Sequence, residues 1–174
     1  MARSALSQGR KLERGPRRFS DSVPMMSVIG GSLLAILPIV SNSGWWPDFG
    51  LLMLLAWRLL RADAWPAWWA GPLGFFNDLI TGYPIGLSIF IWSAIMIAMD
   101  VLDRRTMWRD YWIEWAIACV FIAAAELAQW RAAAALGAST PFRMNAGPAI
   151  LVSSLVFPLA AMLAGKLDRW RLRR

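Results

Sequence analysis

Six apolar stretches dominate this chain, and an apolar stretch of about 20 residues can cross a lipid bilayer as a helix. Hydrophobic residues make up 58% of the 174 residues and charged residues 17%, against about 45–50% and about 25% in soluble domains. We therefore predict an all-α fold, a polytopic membrane bundle of about six transmembrane helices. The predicted spans cover about Val23–Ser41, Phe49–Leu60, Trp65–Thr81, Pro84–Val101, Trp112–Leu136 and Ala146–Leu167.

The domain organisation follows from these spans. Residues 1–22 are polar and basic, which predicts a disordered cytoplasmic tail. Residues 23–167 form the six-span domain, and residues 168–174 form a second basic cytoplasmic tail. The second span is short, so a five-span arrangement with the second and third segments re-entrant stays open. A cleaved signal peptide is the alternative for the N-terminus, but the first apolar stretch is of full span length and lacks a clear cleavage site.

Basic residues separate between alternate loops. With the N-terminus in the cytoplasm, all of the 18 Lys and Arg residues except Arg131 and Arg143 fall on the cytoplasmic side. The positive-inside rule predicts this asymmetry. We expect a multi-pass membrane protein with both termini in the cytoplasm. The net charge of +7 is then explained by orientation and anionic lipid, and no nucleic acid is expected.

The chain lacks the residues that most enzymes use. It has no His and a single Cys, Cys119, which excludes Ser–His–Asp and Cys–His catalysis and His-based metal sites. We expect no enzyme activity, no catalytic residue, no cofactor and no metal. Asp100 and Asp103 form a D-x-x-D pattern that suits a hard cation. Because Arg104 and Arg105 follow, we interpret the pattern as a solvated, charge-balanced loop.

Asp78 lies about one turn before the outer end of the third span, followed by a very short reversal. Gly82 can supply a positive φ, and Pro84 can open the next helix at its first turn. The Asp78 carboxylate can then cap the N-terminal amides of the fourth helix. A contact with a ligand or a partner is the open alternative.

Glu126 is an ionisable residue in the middle of the fifth span, where a charge is costly. Gln129 lies three residues further on, so both side chains share one face of the helix. One interpretation is a bundle-facing carboxyl that is protonated or hydrogen-bonded to Gln129 or Asn77. The other is a proton relay or a substrate contact.

The stretch from Trp46 to Asp100 contains motif residues in a fixed order. Pro47 opens a Pro-x-x-x-Leu-Leu segment, and Trp57, Arg61 and Pro66 follow. Gly74, Asp78, Gly82, Pro84 and Gly86 then form the pattern G-x-x-x-D-x-x-x-G-x-P-x-G. In these residues the stretch resembles the MreD family of bacterial rod-shape membrane proteins, while Phe75 and Phe76 stand where that family more often has Gly and Leu. The resemblance implies a location in the bacterial cytoplasmic (inner) membrane.

The resemblance implies a non-enzymatic scaffold of the elongation complex (elongasome), with a fold similar to the S component of energy-coupling-factor transporters. The implied partners are MreC, the actin-like MreB filaments and the RodA–PBP2 peptidoglycan synthase. We expect an intramembrane face that grips the MreC transmembrane helix. A periplasmic rim near Asp78–Pro84 would support the MreC ectodomain. The basic inner loops would meet the filament or anionic lipid.

Two other classes of function stay open. In a small-molecule-binding transporter component, Asp78, Asn77 and Glu126 would converge in a pocket near the outer half of the bundle. In an intramembrane enzyme, carboxylates or Arg would have to supply all the chemistry, and the acidic residues are scattered along the chain. A ligand that stabilises the purified protein would favour the transporter component.

Overall fold

A computed structural model describes residues 22–37, 46–61, 66–103, 110–137, 141–142 and 144–172. In those ranges every regular element is helical, in agreement with the expected all-α class. The six α-helices are α1 Ser22–Leu33, α2 Phe49–Leu60, α3 Ala70–Thr81, α4 Leu87–Asp103, α5 Tyr111–Ala135 and α6 Ala146–Leu172. Two 3-10 turns, Leu34–Ile36 and Ala67–Trp69, follow α1 and precede α3.

The helices follow the predicted spans, with differences at several ends. Helix α1 ends at Leu33 and its 3-10 turn at Ile36, before the predicted end at Ser41. Helix α3 begins at Ala70, after a 3-10 turn, rather than at Trp65. The fourth helix begins at Leu87 rather than at Pro84. The last helix continues past Leu167 to Leu172, into the predicted C-terminal tail, where Asp168 forms ion pairs. Ser41 and all of the predicted N-terminal tail except Ser22 lie outside the described residues.

Helix α2 is the centre of the bundle. Every residue from Gly50 to Arg58 is buried, and α2 packs against α1, α5 and α6. Trp57 on α2 and Trp92 on α4 are completely buried. The indole Nε1 of Trp57 donates a hydrogen bond to Ser27 Oγ on α1 at 2.7 Å. A helix that is apolar on all sides is stable where its whole surface is buried. The neighbouring helices bury α2 in this way.

The outer helices expose much of their apolar surface. Large apolar side chains such as Phe90, Val120 and Leu155 are 73%, 66% and 73% exposed, which is typical of a surface that meets a membrane or a partner. Among the described helices, α5 and α6 are long and apolar enough to cross a membrane, by length and composition. Helices α2 and α3 have 12 residues each and therefore extend about 18 Å.

Charged residues tie the C-terminal end of α2 to its neighbours. The guanidinium of Arg58, which is 2% exposed, binds the carboxylates of Asp100 and Asp103 on α4, the latter at 2.8 Å. Arg61 Nε lies 3.3 Å from an Asp168 oxygen on α6. Placing Asp100 and Asp103 in a solvated loop was therefore wrong, because both carboxylates turn back to neutralise a buried arginine.

Candidate functional site

Asp78 holds the turn between α3 and α4. Its carboxylate accepts hydrogen bonds from Gly86 N at 2.7 Å and from Ser88 N at 2.9 Å. This is the capping contact that the sequence predicts, made by a side chain that is 1% exposed. Pro84 does not open the helix. It lies in the preceding turn, where its carbonyl accepts a hydrogen bond from Leu87 N at 3.0 Å. This turn brings the amides of Gly86 and Ser88 to the Asp78 carboxylate.

The glycines of the same motif have separate structural roles. Gly82 has φ 71° and Gly86 has φ 103°, a region that side chains with a Cβ rarely adopt. A Cβ at Gly74 would lie 2.8 Å from backbone atoms of Ser88 and Ile89, so α3 and the start of α4 approach too closely for any other residue. The motif thus encodes a tight helical hairpin with the Asp78 carboxylate enclosed in it.

Asn77 joins this hairpin to the start of α2. Its Nδ2 donates to Asp48 Oδ2 and to Ser88 Oγ, both at 3.2 Å. The other carboxylate oxygen of Asp48 accepts from Leu51 N at 3.0 Å and so caps α2. Asn77 is fully buried. Through these two hydrogen bonds its side chain fixes the register of α2, α3 and α4 at one end of the bundle.

A polar cavity of about 210 Å³ opens beside Asp48. We call it the acidic cavity. Several helices contribute to its lining. Ser32 comes from α1, Trp46, Pro47 and Asp48 precede α2, and Thr81 and Tyr83 lie at the end of α3 and in the turn after it. Glu126 and Gln129 come from α5. A smaller lobe of about 50 Å³ shares four of these residues and adds Trp130 and Asn145.

Helical spacing brings Glu126 and Gln129 into the acidic cavity. They end a buried stripe of α5 that begins with Ala118, Ile122 and Ala125, and steps of three or four residues link these side chains along one face of the helix. Glu126 is 8% and Gln129 4% exposed. The stripe changes from apolar to polar as it reaches the end where α2 begins.

The structure therefore brings together part of the predicted set. Glu126, Gln129 and Pro47 line the cavity. Asn77 and Asp78 do not line it, because the amide nitrogen of Asn77 and the carboxylate of Asp78 are engaged in the helix caps described above. The pocket expected from Asp78, Asn77 and Glu126 is formed instead by Glu126 together with Asp48.

Asp48, Ser32 and Tyr83 line the cavity but were not predicted from the sequence. Asp48 had a usable signal, since an aspartate directly before an apolar helix is a typical N-cap. Helices that alternate in direction place that N-cap at the same end of the bundle as the second half of the fifth span, which contains Glu126. Ser32 and Tyr83 had no comparable signal, because their position depends on how α1 and the α3–α4 turn pack.

The pKa of Tyr83, an aromatic residue of the cavity wall, depends on the carboxyls of the cavity. Burial raises the pKa of the Tyr83 phenol above its usual range, and the nearby Asp48 and Glu126 carboxylates raise it further. Both carboxyls thus act on one hydroxyl across the cavity. Among the described residues that line the two lobes, none is Lys or Arg.

A second surface is apolar. A groove of about 820 Å³ runs between α1, α2 and α6, and we call it the apolar groove. Gly30 and Gly31 lie along its α1 side and Ala160 on its α6 side. A Cβ built at Gly30 meets no atom within 4 Å, so this glycine leaves open space in the groove.

No family model, no curated protein and no solved structure matches this chain. Inferences about its function therefore start from the residues and geometry described above.

Proposed function

We propose that this protein is a non-enzymatic scaffold of the bacterial cytoplasmic membrane, similar to MreD, that binds MreC. In this role it helps couple cytoplasmic MreB filaments to the RodA–PBP2 peptidoglycan synthase and so to cell shape. The motif from Gly74 to Gly86 supports the resemblance, since Gly74, Asp78, Gly82 and Gly86 each have a distinct role in one tight hairpin.

In this proposal the six helices are six spans with both termini in the cytoplasm. The direction of the chain supports it: described residues at the facing ends of α1 and α2, of α3 and α4, and of α5 and α6 line the acidic cavity and its smaller lobe, while Arg58 and Asp168 lie at the other end. That second end also carries all of the described basic residues except Arg131, namely Arg58, Arg61, Lys166, Arg169 and Arg171. The acidic cavity then faces the periplasmic half of the bilayer.

The apolar groove is the single observation that supports MreC as the partner. Its lining is almost entirely apolar, with Gly30, Gly31 and Ala160 beside larger residues such as Met53 and Leu163. Small residues let two helix backbones approach closely inside a bilayer, where packing rather than the hydrophobic effect drives association. We assign this groove to the transmembrane helix of MreC.

The hairpin motif supports the partner indirectly. Asp78 is enclosed, so it cannot contact MreC itself. Pro84 and Ile85, by contrast, are exposed at the turn, Ile85 by 71%. In the proposed complex this rim supports the MreC ectodomain, and Asp78 acts by holding the rim in place.

Co-purification with MreC from the same cell tests the assignment. Gly30→Leu fills the groove and should reduce recovery of MreC about tenfold or more, the equivalent of about 1.4 kcal/mol. Gly71→Leu is the matched control, because Gly71 is also a helical glycine with no atom within 4 Å of a built Cβ but lies outside the groove. Equal recovery with both variants would contradict the assignment of the groove.

Failure of the folded wild-type protein to retain MreC would contradict the scaffold itself and favour a transporter component. Orientation is tested separately with a single cysteine at Ser43 in a Cys119→Ala background. A membrane-impermeant maleimide should label it from the periplasm. Labelling only after the cells are permeabilised would contradict the six-span arrangement.

A further inference from the structure

The acidic cavity contains a polar atom that the fold does not use. Ser32 Oγ has no hydrogen-bond partner within the described part of the chain. Ser32 is 2% exposed and lines the cavity. Buried polar groups are normally paired, so this hydroxyl indicates that another molecule completes the cavity.

The charge of the cavity indicates the sign of that molecule. Asp48 and Glu126 face it from two helices, and the described lining contributes no cationic side chain. Arg131 lies 5.3 Å from the Trp130 ring centroid, but it is exposed and does not line either lobe. A buried carboxyl avoids the cost of its charge by taking up a proton or by pairing with a positive charge. A cation that enters the cavity therefore meets two groups that can ionise to bind it.

The lining also selects the kind of cation. Calcium takes six to eight oxygen ligands, several of them carboxylates, and no group of three His, Cys, Asp or Glu side chains occurs within the described residues. Trp46, Tyr83 and Trp130 contribute aromatic surface to the two lobes, and aromatic faces attract organic ammonium groups. A volume of about 210 Å³ corresponds to about seven waters at ~30 Å³ each, which suits a small amine.

We propose that the acidic cavity binds a small primary ammonium compound, with its charged group between Asp48 and Glu126. The hydroxyl of Ser32 accepts from the ammonium. This site lies beside the apolar groove, with which it shares Gly31 and Phe49, and it does not depend on the scaffold proposal. Such a group occurs both in free amines and in the headgroup of phosphatidylethanolamine.

Thermal unfolding of the full chain in nanodiscs of phosphatidylglycerol tests the site, with ethanolamine as the probe. Ethanolamine should raise the unfolding temperature in a saturable manner. Ethylene glycol is the control, because it replaces the ammonium by a hydroxyl and should have no effect. Nanodiscs that also contain phosphatidylethanolamine show whether the lipid headgroup gives the same stabilisation without a soluble amine.

Two conservative variants connect the effect to the cavity. Asp48→Asn preserves the cap of α2, since Asn caps helices as well as Asp, and Glu126→Gln preserves the shape of its side chain. Each should weaken ethanolamine binding about tenfold or more, because a charge-assisted hydrogen bond is lost. Asp110→Asn removes an exposed carboxyl at the start of α5 and should leave binding unchanged.

Stabilisation by ethanolamine alone identifies a free amine, and stabilisation by phosphatidylethanolamine alone identifies the lipid. Either result supports the site if both cavity variants reduce it. The proposal is overturned if neither compound stabilises the wild-type protein, or if ethylene glycol stabilises it as much as ethanolamine does. It is also overturned if Asp110→Asn weakens binding as much as Asp48→Asn.

Discussion

The two ends of α2 hold their acidic side chains in opposite ways. At the C-terminal end, Asp100 and Asp103 neutralise the buried guanidinium of Arg58. At the N-terminal end, Asp48 caps a helix and shares a cavity with Glu126, with no Lys or Arg among the described lining residues. Acidic side chains therefore pair with a buried cation at one end, whereas at the other end they cap a helix and line a cavity.

The difference indicates where a function that needs a ligand can be located. A carboxylate paired with a buried arginine is part of the structural framework, because removing either partner leaves an unneutralised charge. Glu126, which lines the cavity and caps no helix, can bind a ligand without breaking such a framework contact. Asp78 belongs to the framework although it lies at the cavity end, since backbone amides rather than a cation satisfy it.

The largest effect is expected at Arg58. Arg58→Met leaves Asp100 and Asp103 without their buried partner and should lower the free energy of unfolding by about 3–5 kcal/mol. Arg61→Met is the control, because Arg61 is 38% exposed in its pair with Asp168 and should cost under about 1 kcal/mol. Denaturant unfolding in detergent, followed by tryptophan fluorescence, measures both. Equal losses of unfolding free energy in the two variants would contradict the larger contribution expected from the buried Arg58 ion pairs.

An intermediate effect is expected at Asp78. Asp78→Ala leaves the amides of Gly86 and Ser88 without their acceptor and should cost about 2–3 kcal/mol in unfolding free energy. Asp78→Asn keeps one acceptor oxygen and should cost about half as much. Asp110→Ala is the control, since Asp110 precedes α5 without capping it through its side chain. If Asp78→Ala unfolds like the wild type, the enclosed cap does not hold the hairpin.

The smallest effect is expected at Glu126. Without a bound ligand, Glu126→Gln removes an uncompensated carboxyl and should change the unfolding free energy by less than about 1 kcal/mol, in the stabilising direction. Asp48→Asn should likewise change it by under about 0.5 kcal/mol, because the cap of α2 survives. The same fluorescence measurement applies to both. A loss above about 2 kcal/mol for Glu126→Gln would mean that a cation of the chain pairs with Glu126, and the contrast between the two ends would fail.

Much of the fold could be predicted from local patterns. The apolar stretches anticipated six helices, with α2 at the predicted bounds, because helix-forming apolar runs are a property of neighbouring residues. The cap by Asp78 was also predictable, since aspartate, glycine and proline occur within a few residues of one turn. The wrong start of α4 shows the limit: the position of Pro84 depends on how far the turn must extend to reach Asp78.

The candidate site was only partly predictable. Glu126 and Gln129 were identified because polar residues in an apolar helix are conspicuous. Asp48 and Ser32 were not, since each comes from a different helix and gains its role only through packing. Asp100 and Asp103 were misjudged for the same reason, because their partner Arg58 lies 42 residues or more away along the chain.

The sequence by itself determined the helical class, the positions of the apolar helices and the hairpin motif, because periodicity, caps and turn residues act over a few neighbours. Tertiary structure alone decided which acidic side chains meet a cation and which face a cavity. Hydrogen bonds and ion pairs require distances of about 3–4 Å between atoms. In this bundle only the packing of α1, α4, α5 and α6 around α2 sets those distances.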